Sequence, residues 1–213
     1  MDVSKVFVAG AGTMGNGIAQ VCAQSGISVV MSDISQEVLD KALKNIEWSV
    51  SKFVDKGRLS ENVETIMNRI QTSTNYEAAA ESDLVIEAVF EDIKVKHEVV
   101  KKIDAVVGDK TILASNTSAI PITEIASASS RPENFIGLHF FNPVPMMAAV
   151  EVIRGIATTD EAFQYGADFV KQIGKEPILV NRDIAGFILN RINMLSNMEA
   201  YRLVEQGVAT PED

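Results

Sequence analysis

The chain is expected to fold as an α/β protein, with a Rossmann-like, doubly wound, mostly parallel sheet, and three observations lead there. Lys5-Val6-Phe7-Val8-Ala9 runs into Gly10-Ala11-Gly12-Thr13-Met14-Gly15, and Asp33 lies eighteen residues beyond the last glycine. Strand-like apolar runs then alternate with amphipathic stretches of helical period, the pattern of β-α units on a parallel sheet. The run from Asp83 to Val89 is continuously apolar at Leu84-Val85-Ile86, as suits a strand covered on both faces.

Taken in order, the first strand is Lys5 to Ala9, and a helix follows from about Met14 to Ser25. Gly10 permits the tight turn, Gly12 lets backbone approach a pyrophosphate, and Gly15 lets helix and strand pack closely. Thr13 and Met14 open the helix, whose unpaired N–H groups suit a diphosphate. Ser28 to Ser32 is the second strand and delivers Asp33, placed to accept hydrogen bonds from an adenosine ribose and to repel a 2′-phosphate. NAD is therefore expected over NADP. A Gly-rich turn that binds nothing matches the glycine spacing but not this whole context.

Gln36 to about Lys56 reads as a long amphipathic helix on Val38, Leu39, Ala42, Ile46, Ser49, Val50 and Phe53, with Ser35 as N-cap and Gly57 as stop. From Ser60 a shorter helix carries Val63, Ile66, Met67 and Ile70, and Gln71-Thr72-Ser73 forms a short strand. A basic helix is expected over Ile93 to Val107, then a strand over Thr111 to Ser115. Further strands fall at Phe135 to Phe141, Val150 to Arg154 and Ile178 to Val180, with a helix over Asp160 to Gly174. The last element is a long helix from Phe187 to about Gln206, ended by Gly207. Thr210-Pro211-Glu212-Asp213 has the N-cap, N1 and acidic first turn of another helix. The chain is therefore expected to be a shortened form of something longer, with 1–184 as one domain and 185–213 as the start of a second.

Composition narrows the function. The formal charge of −10 argues against nucleic-acid binding, which needs a cationic surface. No apolar run reaches the ~20 residues of a membrane helix, and the first strand starts too early for a signal peptide, so a cytoplasmic location is expected. The single cysteine, Cys22, excludes an intrachain disulfide and sits mid-helix, where packing competes with reactivity as its role. Two histidines with no cysteine or histidine cluster leave no metal site expected.

Three segments could carry chemistry: Ala114-Ser115-Asn116-Thr117-Ser118, His139-Phe140-Phe141-Asn142-Pro143, and Glu151. A histidine can take an alcohol proton, and a carboxylate on its other nitrogen fixes the tautomer. Beside a nicotinamide, His139 and Glu151 would oxidise a secondary alcohol. Spacing alone also fits a structural histidine at a strand end and an exposed carboxylate. His97 stands among Lys94, Lys96, Lys101 and Lys102 as a solvated surface residue. Ser115 and Thr117 can serve turn backbone groups, whereas Ser118 competes for a ligand role.

The chain resembles the L-3-hydroxyacyl-CoA dehydrogenases, of the 3-hydroxybutyryl-CoA dehydrogenase type. The matching stretches are Val8 to Gly15, Glu87-Ala88-Val89, Ala114 to Ser118, His139-Phe140-Phe141-Asn142-Pro143-Val144-Pro145 and Gly186-Phe187-Ile188-Leu189-Asn190-Arg191. They follow the family's order over nearly the whole chain, and the histidine run is far more specific than the glycines. The resemblance implies NAD as cofactor and reversible oxidation of an (S)-3-hydroxyacyl-CoA, as in fatty acid and butanoate metabolism. His139 would be the general base and Glu151 its partner. Ser118 would bond the reacting oxygen, Asn190 place the substrate, and Asn142 order the site near the cofactor. Asp33, Glu91, Lys96 and Asn116 match positions near the cofactor, and Lys52 and Lys56 match positions that meet CoA phosphates.

Family members continue into a helical domain that forms a homodimer and walls one side of the cleft. Without it, the apolar stripe of the last helix is expected to fold back on its own domain or to pair with a second chain. This sequence departs from the family at Ala119, where a serine is usual, at Ala148, where a lysine is, and at Ala185, where a proline is. Two other functions remain open on the sequence: a dehydrogenase of a sugar acid or other small hydroxy acid, and a nucleotide-binding module without turnover.

Overall fold

The computed structural model describes residues 2–213. Eight strands form one sheet in the order β3-β2-β1-β4-β5-β6-β7-β8. They are β1 (Lys5–Ala9), β2 (Ser28–Ser32), β3 (Ile70–Ser73), β4 (Leu84–Glu87), β5 (Ile112–Ser115), β6 (Phe135–Phe140), β7 (Ala149–Arg154) and β8 (Glu176–Val180). Every neighbouring pair is parallel except β6 and β7. The sheet is Rossmann-like and doubly wound, and the strand order reverses between β1 and β4, where such sheets open a ligand crevice.

The helices are α1 (Thr13–Gln24), α2 (Gln36–Asp55), α3 (Val63–Met67), α4 (Ile93–Asp104), α5 (Ile122–Ala126), α6 (Asp160–Gln172) and α7 (Leu189–Glu205). Alternate strand residues feed two cores on opposite faces. Val6, Val8, Val29, Met31, Leu84 and Ile86 pack with Ile18, Leu39 and Phe169 of α1, α2 and α6. Phe7, Ala9, Val85, Leu113 and Phe135 pack with Val99, Val100 and Ile125 of α4 and α5. A strand with both faces covered must be apolar throughout, which is what made these runs visible in the sequence.

Several boundaries move. The short helix starts at Val63 because the Asn62 side chain caps it, accepting from the Thr65 amide at 2.8 Å. Ile70 belongs to β3, paired with Val29. α4 ends at Asp104, three residues early, where Arg131 donates to the carbonyls of Asp104, Val107 and Gly108. Val38 points to solvent, and Leu39 carries the buried face instead.

Of the two arrangements expected for α7, folding back on its own domain is not seen: none of its residues is buried, and Ile192, Met194, Leu195 and Tyr201 are each at least 60% exposed. Past Gly207 (φ +69°), the Asp213 carboxylate accepts from the amide and hydroxyl of Thr210, closing a turn.

Candidate active site

The carboxyl ends of β1, β2, β4 and β5 share one edge of the sheet, and the glycine turn sits there. Gly10 adopts φ +101°, and a Cβ on it would lie 2.6 Å from the Ala88 carbonyl oxygen. A Cβ on Gly15 would lie 1.8 Å from the Gly10 carbonyl oxygen, so only glycine lets α1 approach β1. Above Gly12 the space is open, and the N-terminus of α1 has no side-chain cap. Asp33 closes the turn: its Oδ2 accepts from the Ala11 amide at 3.0 Å and its Oδ1 from the Ser35 amide at 3.3 Å. A cleft of about 450 Å³ runs here past Gly10, Gly12, Thr13, Met14, Asp33 and Tyr76. Uncapped amides, open room above Gly12 and a partly exposed carboxylate fit the diphosphate and adenosine ribose of NAD.

A second cleft, of about 490 Å³, shares Met14, Ala88 and Val89 with the first and continues it across the sheet. Its walls hold Glu91, Lys96, Asn116, Ser118, His139 and Asn142, with Asn190 at the rim. These sequence-inferred residues therefore meet at one place. Lys52 and Lys56 do not join them, being exposed at the end of α2 and lining neither cleft.

His139 and Glu151 are directly opposed residues of the antiparallel pair β6–β7, so their side chains leave the same face of the sheet. Glu151 thus lies within β7 and is buried, not an exposed carboxylate. Its Oε2 lies 2.7 Å from His139 Nδ1, and both side chains are buried. Its Oε1 accepts from the amides of Ile188 and Leu189, each at 2.9 Å. Burial alone would raise the Glu151 pKa, but the His139 ring and the two amides outweigh it and hold the carboxyl below its usual range. A carboxylate only accepts, so Nδ1 carries the proton and Nε2 is left as the base. Phe141 packs edge-on to the imidazole with ring centroids 4.8 Å apart.

The opposite wall is a buried charge network that the sequence did not reveal. Lys96 is fully buried, with Nζ 2.8 Å from Glu87 Oε1 and 3.1 Å from Glu91 Oε2, so it is not one of the solvated lysines of its helix. Glu87 Oε2 accepts from the Ser115 hydroxyl at 2.6 Å. Glu91 Oε1 accepts from the Thr117 hydroxyl and from the Ser118 amide at 3.0 Å, fixing the loop after β5. Burial pushes the Glu91 pKa up, but Thr117, Lys96 and the Ser118 amide more than reverse that, and its net shift is downward. The sequence signal for Glu87 was a carboxylate ending an otherwise apolar strand.

Asn116 spends its Oδ1 on the Phe140 amide at 2.9 Å, tying β5 to the end of β6. Asn190 Nδ2 donates to the Ser118 carbonyl at 3.1 Å, and no bond of the Ser118 hydroxyl is found among the described residues. Ser115 and Thr117 serve turn amides as expected. His97 differs from expectation: it is half-buried, and its Nε2 lies 2.8 Å from the Glu124 carbonyl oxygen, joining α4 to α5.

Residues 5–184 match the family described as 3-hydroxyacyl-CoA dehydrogenase, NAD binding domain. The chain belongs to that family. NAD is its cofactor, and the clefts above lie within the matched domain apart from Asn190. A probable 3-hydroxybutyryl-CoA dehydrogenase of Deinococcus radiodurans is 48% identical over 98% of this chain and 74% of its own. The human mitochondrial hydroxyacyl-coenzyme A dehydrogenase is 45% identical over 99% of this chain and 69% of its own. Among solved structures, the (S)-3-hydroxybutyryl-CoA dehydrogenase of Ralstonia eutropha superposes with a TM-score of 0.95 at 43% identity, covering 99% of this chain and 75% of that one. The fold is thus shared with that structure over nearly the whole of this chain. No helix among the described residues is long and apolar enough to cross a membrane.

Proposed function

We propose that this chain catalyses the reversible, NAD-linked oxidation of an (S)-3-hydroxyacyl-CoA, of the 3-hydroxybutyryl-CoA type, to the 3-ketoacyl-CoA. The observation that carries this is the buried His139–Glu151 pair, 2.7 Å apart, with His139 on the wall of a cleft that shares residues with the glycine crevice. The relatives' names support the substrate class.

Bound NAD supplies the hydride acceptor. His139 Nε2 takes the hydroxyl proton, and ionised Glu151 stabilises the imidazolium through Nδ1. The Ser118 hydroxyl donates to the reacting oxygen, with its loop held by Glu91 and Asn190. Beyond Ser118 a further cavity of about 580 Å³, lined by Ala119, Gly186, Met194 and Leu195, offers an apolar path for the acyl-pantetheine arm. Lys52 and Lys56 serve as the local basic patch for CoA phosphates on a chain of net charge −10. Residues 1–184 form the NAD-binding domain, and 185–213 begin a helical unit that contributes to a homodimer.

The test is His139→Gln, assayed with acetoacetyl-CoA and NADH at high enzyme concentration. Turnover is expected to fall by about 10²–10⁴-fold, the share of a general base, while NADH affinity by fluorescence titration stays the same. Unchanged turnover would overturn the assignment.

A further inference from the structure

We propose that Phe187 is a positioning residue for the His139–Glu151 pair, and that the turn it forms couples α7 to the imidazole through the single carboxylate of Glu151. The role of the His139–Glu151 pair rests on the function proposed above, whereas the geometry of the turn stands apart from it. Phe187 has φ +48°, a left-handed conformation that bulky residues rarely adopt and that persists only where the surroundings enforce it. Its neighbour Gly186 has φ +75°. The chain enters this turn pinned, because both carboxylate oxygens of Asp183 hold the amides of Ile122 and Thr123 at the start of α5.

The Phe187 side chain is completely buried, with its ring centroid 5.6 Å from that of His139. The left-handed turn then directs two successive amides, of Ile188 and Leu189, onto Glu151 Oε1. α7 has no local side-chain cap, so a residue of β7 caps it from 37 positions away. The same carboxylate holds His139 Nδ1 with its other oxygen. A displacement of α7 therefore changes what Glu151 offers the imidazole, and a change at the imidazole is returned to α7, since coupling is reciprocal.

The test is magnetic resonance of the 213-residue chain with labelled histidine, and it requires no turnover. Only His97 and His139 are present, and the His139→Gln variant identifies each signal. The His139 Nδ1 proton is expected to be shielded from solvent exchange. Phe187→Gly relaxes the backbone and removes the ring; that signal should then be lost to exchange, while the His97 signals and NADH affinity persist. An unaltered Nδ1 proton would overturn the proposal.

If Phe187→Gly does not fold, amide exchange in His139→Gln decides. Faster exchange at Ile188 and Leu189, with Ile122 and Thr123 unaffected, supports the coupling. Equal rates at all four, or no change at any, overturns it. Because no reaction is monitored, failure of the dehydrogenase reading is seen separately, as absent NADH consumption with acetoacetyl-CoA.

Discussion

At Lys96 the molecule buries an ammonium between two carboxylates, of Glu87 and Glu91, with neither a bare charge nor an unpartnered hydroxyl left at Ser115 or Thr117. Breaking such a buried pair by removing one partner is far more damaging than replacing both with apolar groups. Lys96 thus belongs to the cleft wall, where it fixes Glu91 and, through Glu91, the loop of Ser118. Cys22 shows the opposite case, a polar group sealed in an apolar core. Burial raises its thiol pKa to about 12, against a smaller downward effect of Lys175, so the reactive thiolate is suppressed near neutrality. Iodoacetamide at about pH 8 should leave Cys22 unmodified in the native chain and alkylate it once denaturant is added. Mass spectrometry reads the difference, and rapid native labelling would contradict the burial.

Among the elements, α4 matters most to the site because it carries Lys96. Its N-terminus is set by Asp92, whose Oδ1 accepts from the amides of Lys94 at 2.9 Å and Val95 at 3.1 Å. Asp92→Ala should cost about 1 kcal/mol, the usual worth of a cap, and lower Tm by about 2–4 °C for a chain of this size. A calorimetric scan checks it. α7 poses the reverse problem, a helix with its apolar side chains in solvent. Leu195 is 71% exposed and Met194 is 65% exposed. With none of the described residues burying them, these side chains should drive self-association as protein concentration rises. The expected result is a concentration-dependent mass in light scattering that Leu195→Glu reduces, and equal masses for both proteins would refute it.

Over the described residues, six carboxyls are held below their usual range: Glu61, Asp83, Glu91, Asp104, Glu151 and Asp213. In each, burial raises the pKa and hydrogen bonds or a cation more than reverse it. Asp83 does this at the amino end of β1, where its Oδ2 takes the Ser4 hydroxyl and the amides of Ser4 and Lys5. A depressed native pKa gives stability that is complete above the unfolded value and lost as pH falls through the native one. The urea midpoint should therefore hold from neutrality to about pH 5 and drop steeply below about pH 4. A midpoint that is flat down to about pH 3 would show that these bonds contribute nothing.

The sequence by itself determined the alternation of strands and helices, the two-sided burial of β4, the glycine crevice with Asp33, and the cap of α2 at Ser35. All are local: hydrophobic period, turn chemistry and capping depend on residues a few positions apart. It also singled out His139 as a candidate, because the run from His139 to Pro145 is specific. Tertiary structure decided the rest. The antiparallel register of β6 and β7 sets His139 opposite Glu151, and no spacing of twelve residues dictates that register. The bonds of Ser115 to Glu87 and of Thr117 to Glu91, and the capping of α7 by Glu151, join elements far apart in the chain. The environment of a charged or polar group is set by what folds around it, and those partners are not its neighbours in sequence.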